Sequence, residues 1–530
     1  MNERLIKRMI GDKRASRREF IAGAMASGLA LSTASGLWTS ARAATAKAGG
    51  HMRIGMNDGN TNDSLDPTTF VGSVQICSSR AARDSLVEIG QDNSLTPALA
   101  ESWEASSDAK SWRFTLRKGV EFSDGKSLTA EDVINSLNAH RGKSSTSGAA
   151  GVFKQIVDVR ADGSGVVVVD LEAANADFPW TLTDYHVAIV PTKDGKADLL
   201  SPVGTGCYKI VDFTPGIRAA FERNPNSWQS GSAGFVDSAE IMVLLDDTAR
   251  QNALVAGQVD VINRPALKTA AMLKAMPGIR IVDVVSNRFY AHPMFMDVAP
   301  FNDNNFRMAL KHALPRQEFI DKVLYGYGQI GNDSPVGPLM QFYDANIQQN
   351  TYDLDKARYY MKQAGLDGIS IDFSTNDIAY SGAVDAALLF QQAFEQIGVT
   401  LNIVREPGDG YWSNVWMKKP FMAAYWNSRA TADMILSTAF LSTSGWNETH
   451  MNNPRLDELV NAARGELDSS KRQAMYSELQ LIMSKEGGEL IPAFGSETAA
   501  VRDRVGIGEK LGGGFEMDGG YFIKRWWMNG

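Results

Sequence analysis

An alternation of short extended runs with helical stripes constrains this chain more than anything else in it. Phe306, Ala309, Leu310 and Ala313 share one helical face, and Pro315 stops that helix. Leu354, Ala357, Met361 and Ala364 repeat the spacing before Gly365, and Leu456, Leu459, Val460 and Ala463 form another stripe. Met475, Leu479, Ile482 and Met483 make a fourth, closed by Gly487-Gly488. Between these helices Ile369 to Phe373 and Thr400 to Val404 read as strands. Strands interleaved with helices predict a mixed α/β fold, and 530 residues imply two or three core-forming units.

The first half is richer in strands. His51 to Met56 reads as the first, followed by the polar loop Asn57 to Asp66. Trp112, Phe114 and Leu116 alternate along another strand. Thr129 begins a helix with Asp132 in its first turn, and Val166 to Val169 is a short buried strand. There is no internal repeat, coiled coil or low-complexity tract.

The N-terminus points to export. Arg17-Arg18 precede a weakly apolar run from Phe20 to Trp38, and Ala41-Arg42-Ala43 supplies the small residues of a cleavage site. This order resembles a twin-arginine signal over residues 1–43, the address of proteins exported already folded. Those residues hold eight Lys/Arg and three Asp/Glu, so removing their +5 from the net −8 leaves a mature chain near −13. Such an acidic protein disfavours nucleic acid and anionic lipid as partners. In an oxidising periplasm Cys77 and Cys207 can form a disulfide or remain two separate buried thiols; sequence gives no distance between them.

Motifs for catalysis are missing. Gly119 to Ser127 reads GVEFSDGKS, but five residues separate its glycines where a phosphate-binding loop needs four, so it is expected to be a hairpin turn. The six histidines are scattered without an HExxH pattern or an i, i+4 pair, and no Gly-x-Ser-x-Gly elbow appears. Asp246-Asp247 cannot by itself name a glycosidase. The chain is therefore not expected to be an enzyme, and no cofactor or metal site is expected.

The richest stretch is GDGYWSNVWMKKPFMAAYWNSRATAD, Gly408 to Asp433. Trp412 and Trp416 share a face if YWSNVWMK is helical, and Trp416 and Phe421 suit a core. Trp426 sits beside Asn427, Ser428 and Arg429, a context in which an indole can stack on a ligand. Arg429 can clamp a carboxylate or phosphate through its fork, or pair structurally with Asp433 four residues on. Tyr185 and His186 lie within the strand-like WTLTDYHVAIV, and Tyr290 and His292 lie in RFYAHPMFM; each is a ligand candidate or a satisfied core residue.

Four segments carry a resemblance. LAESWEASSDAKSWRFTLRKGVEFSDGKSLTAEDVINSLN (Leu99 to Asn138) and VGTGCYK (Val203 to Lys209) are two; PFNDNNFRMALKHALPRQEFIDKVLYGYG (Pro300 to Gly328) and YDLDKARYYMKQAGL (Tyr352 to Leu366) are the others. In this order they resemble the family 5 solute-binding proteins of ABC importers, the dipeptide, oligopeptide and nickel receptors. Cys207 stands where that family usually has proline, and Leu314-Pro315-Arg316 where Ile-Asp-Arg is common.

The resemblance implies a two-lobed periplasmic binding protein fold (type 2-like) with an extra subdomain in the first lobe. It places the first lobe at 44–288, with the subdomain at about 91–200, the second lobe at 289–497 and a return segment at 498–530. It puts Tyr290 and His292 where the chain crosses between lobes, and residues 408–433 at the cleft. It also implies ABC permease subunits in the inner membrane as partners, with a monomeric receptor delivering a peptide or related acidic, amino-acid-like solute. In the peptide receptors this segment carries an aspartate for the ligand's ammonium group, and Arg429 occupies that place, which favours a ligand with an exposed acid group. An opine-type conjugate, a nickel or haem receptor on the same fold, a secreted hydrolase and a sensory role stay open as alternatives.

Overall fold

The computed structural model describes residues 46–142, 145–366 and 368–529; the export signal expected over 1–43 lies outside the described residues. One long mixed sheet organises the molecule. Its order runs Tyr208–Thr214, Arg218–Arg223, Ser238–Val243, His51–Met56, Val261–Asn263, Ala493–Arg502, Ile279–Pro293 and Ala424–Trp426. His51–Met56 is parallel to both its neighbours, whereas the two longest strands, Ile279–Pro293 and Ala493–Arg502, are antiparallel to each other.

Those two strands thread separate cores. Ala499 and Val501 pack with Met52, Ile54, Phe221 and Ile241 in one. Phe289 and Phe494 pack in another with Ile435, Leu459 and Leu479, while Tyr290 and Ala493 join a third with Phe306, Phe319 and Phe390. The strand register breaks between Val285 and Phe289, where Ser286 Oγ donates to the Gly495 carbonyl at 3.0 Å. A bulge of this kind re-aims the side chains that follow it.

A further core lies under an antiparallel sheet of order Ala100–Ala105, Ser111–Leu116, Val166–Leu171, Ile156–Ala161. Trp112, Phe114 and Leu116 all point inward, as their alternation predicts. The adjoining helix Ala130–Asn138 opens on Thr129, whose backbone N–H donates to Asp132 Oδ2 at 2.9 Å. Lys126 of the Gly-Lys-Ser sequence pairs with Asp132 at 2.8 Å, and Gly125 takes a φ of 88° in a tight turn. That lysine is committed to a helix cap and faces no phosphate cradle.

The predicted helices form where their stripes place them: Asn304–Ala313, Leu354–Ala364, Pro454–Gly465 and Ser469–Glu486. Asp353 accepts from the Lys356 N–H at one end of the second, and Gly365 closes the other with a φ of 66°. Ser370–Thr375 and Thr400–Arg405 pair in parallel, with Ala383–Glu395 as the intervening helix. In VGTGCYK the glycines serve close approach. A Cβ on Gly204 would stand 2.1 Å from the Ala82 carbonyl oxygen, and one on Gly206 would stand 2.6 Å from the Ala82 carbonyl carbon.

The structure decides between the two alternatives for the cysteines and corrects one expected strand. Cys77 and Cys207 are both free and buried in one apolar core; the Cys207 thiol donates to Gln229 Oε1 at 3.0 Å and Cys77 is packed within helix Ser73–Ala82. WTLTDYHVAIV is not a strand: Phe178–Thr181 is a short helix, begun around Pro179, and turns follow it.

Candidate functional site

Strand Ala424–Trp426 pairs with Phe289–Ala291, setting Trp426 opposite Phe289 and Tyr425 opposite Tyr290. Because successive side chains alternate, Tyr425 packs toward the core of Tyr290 and Trp426 enters that of Phe289. The chain then leaves the sheet, passes Arg429, and enters helix Ala432–Ala439, capped by Thr431 Oγ1 accepting from Met434 N–H at 3.1 Å. Arg429 is thus carried on a short loop fixed at both ends.

Its guanidinium lies 5.7 Å from the centre of a Trp426 ring, and Asn287 Nδ2 donates to its carbonyl at 3.5 Å. Among the described residues no carboxylate forms an ion pair with it; Asp433 is bound instead by Arg464, at 3.1 Å. Burial lowers the pKa of Arg429, and the charges that oppose this are Asp184 and Tyr185. Those two belong to the segment whose Leu182, Val187 and Ile189 enter the core of the four-stranded sheet. The guanidinium therefore lies between these two segments, half-buried and without a carboxylate partner among the described residues.

Asp433 has a different environment. Burial pushes its carboxyl up to about 6 despite Arg464, and Asp177 adds to the effect. Asp177 is paired with Arg472 at 2.6 Å, while Ala176 N–H donates to the Arg464 carbonyl at 2.7 Å. Asp433 thus belongs to a four-residue ionic cluster that ties helices Pro454–Gly465 and Ser469–Glu486 to the 175–177 turn. The Arg429–Asp433 pair allowed by their spacing does not form.

The aromatic candidates also separate. Trp412 is 40% exposed and meets Trp416 edge-on at 6.2 Å and Tyr425 at 5.7 Å. The helix carrying it spans only Tyr411–Asn414, because Met417 takes a φ of 57° that no helix continues through. Trp426 is buried, and its indole N–H donates to Glu448.

Tyr185 stacks near His186 at 4.2 Å; burial and Asp184 raise its pKa while Arg429 lowers it. The His186 ring faces Asp184 at 2.7 Å and the Phe70 carbonyl at 3.0 Å, so both nitrogens have partners. Tyr290 is buried against Phe319 and Tyr380. His292 is sealed: Nδ1 bonds the Leu490 carbonyl at 3.2 Å, Nε2 bonds the Tyr380 hydroxyl at 2.6 Å, and burial lowers its pKa to about 3. It is a neutral core residue.

Sequence reading missed Asp184, Asn287 and Glu448. Asp184 adjoins two candidates and could have been taken with them. Glu448 stands among Asn447, Thr449 and His450, a polar context that gives no local signal of burial.

Two long antiparallel strands that run through separate cores are the frame of a two-lobed binding protein of the periplasmic type. Residues 94–448 match the sequence profile of bacterial extracellular solute-binding proteins, family 5, and the chain belongs to that family. Heme-binding protein A of Haemophilus influenzae is 26% identical, with 82% of this chain and 85% of that protein covered. The dipeptide-binding protein of Escherichia coli is 25% identical over 84% of this chain and 89% of that protein. Among solved structures, HbpA2 from Haemophilus parasuis superposes with a TM-score of 0.80 at 20% identity, covering 89% of this chain and 99% of that one. The binding protein AgaA from A. tumefaciens, in complex with agropinic acid, gives 0.69 at 20% identity, covering 90% and 99%. Likeness at these identities establishes the fold.

Proposed function

We propose that this chain is an exported receptor that takes a peptide or a related acidic, amino-acid-like solute and delivers it to ABC permease subunits in the inner membrane. It carries out no chemistry, reaches the periplasm through the twin-arginine signal at 1–43, and acts as a monomer. The ligand lies between the lobes, its carboxylate on Arg429, with Trp426 and Trp412 on one side and Tyr185 on the other. His186, Tyr290, His292 and Asp433 shape and support this site from behind, since each already has protein partners or is buried.

What carries the reading is the half-buried guanidinium of Arg429, which no carboxylate pairs among the described residues, since a partly desolvated cation gains from an arriving anion. A thermal-shift screen of the mature protein against peptides, opines, amino acids and nickel tests it, with Arg429→Ala alongside. A ligand that binds the native state raises the melting temperature. Stabilisation of the wild type but not the variant by carboxylated ligands is the expected result; equal stabilisation of both removes Arg429 from the site. An opine-type conjugate is the second reading, favoured by the same arginine.

A further inference from the structure

Glu448 is fully buried and accepts hydrogen bonds from two indoles, Trp416 Nε1 and Trp426 Nε1. Its other neighbour is Glu489, also fully buried, whose oxygens receive no donor from the remaining described residues. Two neighbouring buried carboxyls each disfavour ionisation of the other. Burial and the neighbouring Glu448 raise the Glu489 pKa well above its usual range. Burial raises the Glu448 pKa while the two indole N–H donors lower it, so one buried carboxyl holds both indoles.

The wall fixed in this way extends to open space. Trp446 packs on Trp416 and on Trp426, 5.9 Å from each, yet is 49% exposed. Trp412 flanks Trp416 from another side. Exposed indoles gathered in one cluster are unusual on a surface that has to remain soluble, and they mark a contact site. The buried end of the cluster lies beneath the free guanidinium of Arg429.

We propose that Glu448 is a positioning residue that holds Trp416 and Trp426 as a rigid aromatic wall, continued by Trp446, and that the ligand therefore carries a planar aromatic group next to the acid bound by Arg429. This deepens the receptor reading and rests on it. Arg429 selects the charge, and the wall selects what stands beside it. An aromatic group gains from the indoles what a methyl group cannot, about tenfold in affinity.

The test uses matched pairs of acids on the mature protein: Gly-Phe against Gly-Ala, and N-acetylphenylalanine against N-acetylalanine. Titration calorimetry gives the affinities, and indole fluorescence reports the wall directly. The expected result is about tenfold tighter binding of the phenyl member, with a fluorescence change that the alanine member does not produce. Trp446→Ala and Glu448→Gln should each shrink that ratio to within about twofold, the phenyl member losing more affinity than the alanine member. Trp446→Ala removes only a half-exposed ring, so it stays informative if Glu448→Gln unfolds. Equal binding of both members by the wild type overturns the aromatic preference and leaves the receptor reading intact. An unchanged ratio in Trp446→Ala and in a folded Glu448→Gln overturns the assigned wall. Failure of every carboxylated ligand to bind removes the receptor reading, and this inference with it.

Discussion

Trp426, with Arg429 on the loop that follows it, and Tyr290–His292 belong to paired strands of one sheet, and by residue type both could serve a ligand. They differ in what their polar groups touch. His292 has a protein partner on each nitrogen, and Tyr290 is enclosed by Phe319 and Tyr380. Arg429 has no carboxylate partner among the described residues, and Trp446, packed on the Trp426 ring that Arg429 overlies, is half-exposed. Chemistry available to a ligand is chemistry the fold has not used itself. The same contrast recurs four residues apart, where Asp433 is locked by Arg464 and Arg429 is free.

The contrast can be broken most forcefully at the locked groups. Arg472→Ala strands Asp177 as an unpaired buried charge and should cost about 3–5 kcal/mol, read as a shifted urea midpoint. His292→Ala deprives the Tyr380 hydroxyl of its acceptor and the Leu490 carbonyl of its donor, and leaves a cavity; about 3 kcal/mol is expected. Neither should act at the ligand's acid group, so carboxylate dependence persisting in the folded variants supports the division. Arg429→Ala should reverse the pattern: stability within about 0.5 kcal/mol of wild type, but about 2 kcal/mol lost in binding an acid, measured by calorimetry.

Acid should separate the regions further. His292 titrates at about 3 when folded against an ordinary 6.5, so the unfolded chain binds the extra proton first as pH falls. Its contribution to stability is whole above about 6.5 and declines toward pH 3, by up to about 1.4 kcal/mol per pH unit. Asp433 runs the other way. Its carboxyl is raised from 3.8 to about 6, so its contribution is whole below 3.8 and disappears as pH rises through about 6. Urea melts at several pH values should show a shallower acid limb in His292→Gln than in wild type. The smallest effect is expected from Trp412→Ala, which removes a ring that is 40% exposed and should cost under about 1 kcal/mol of stability.

Where sequence reading succeeded, the deciding interactions were local. The Thr129–Asp132 cap, the stop at Pro315 and the left-handed Gly365 each involve residues a few positions apart, and each appears as its pattern predicts. Leu314 turns extended, as a residue before proline must. The site was less legible because its partners are distant along the chain. Asp433 finds Arg464 rather than the arginine four residues away, and Glu448 reaches indoles 22 and 32 residues upstream. Trp412 and Trp416 meet although the helix that was to align them is only four residues long. Hydrophobic alternation misled at WTLTDYHVAIV, where Pro179 favours a helix start over a sheet position.

The two free cysteines have a practical consequence. Burial pushes the Cys207 thiol up to about 12 and raises Cys77 well above its usual range, and both side chains sit inside the core built around His51–Met56. A thiol reagent can reach them only when that core opens. The rate at which the native protein is labelled is therefore a clock for the breathing of one lobe, already built into a chain that holds no other cysteine.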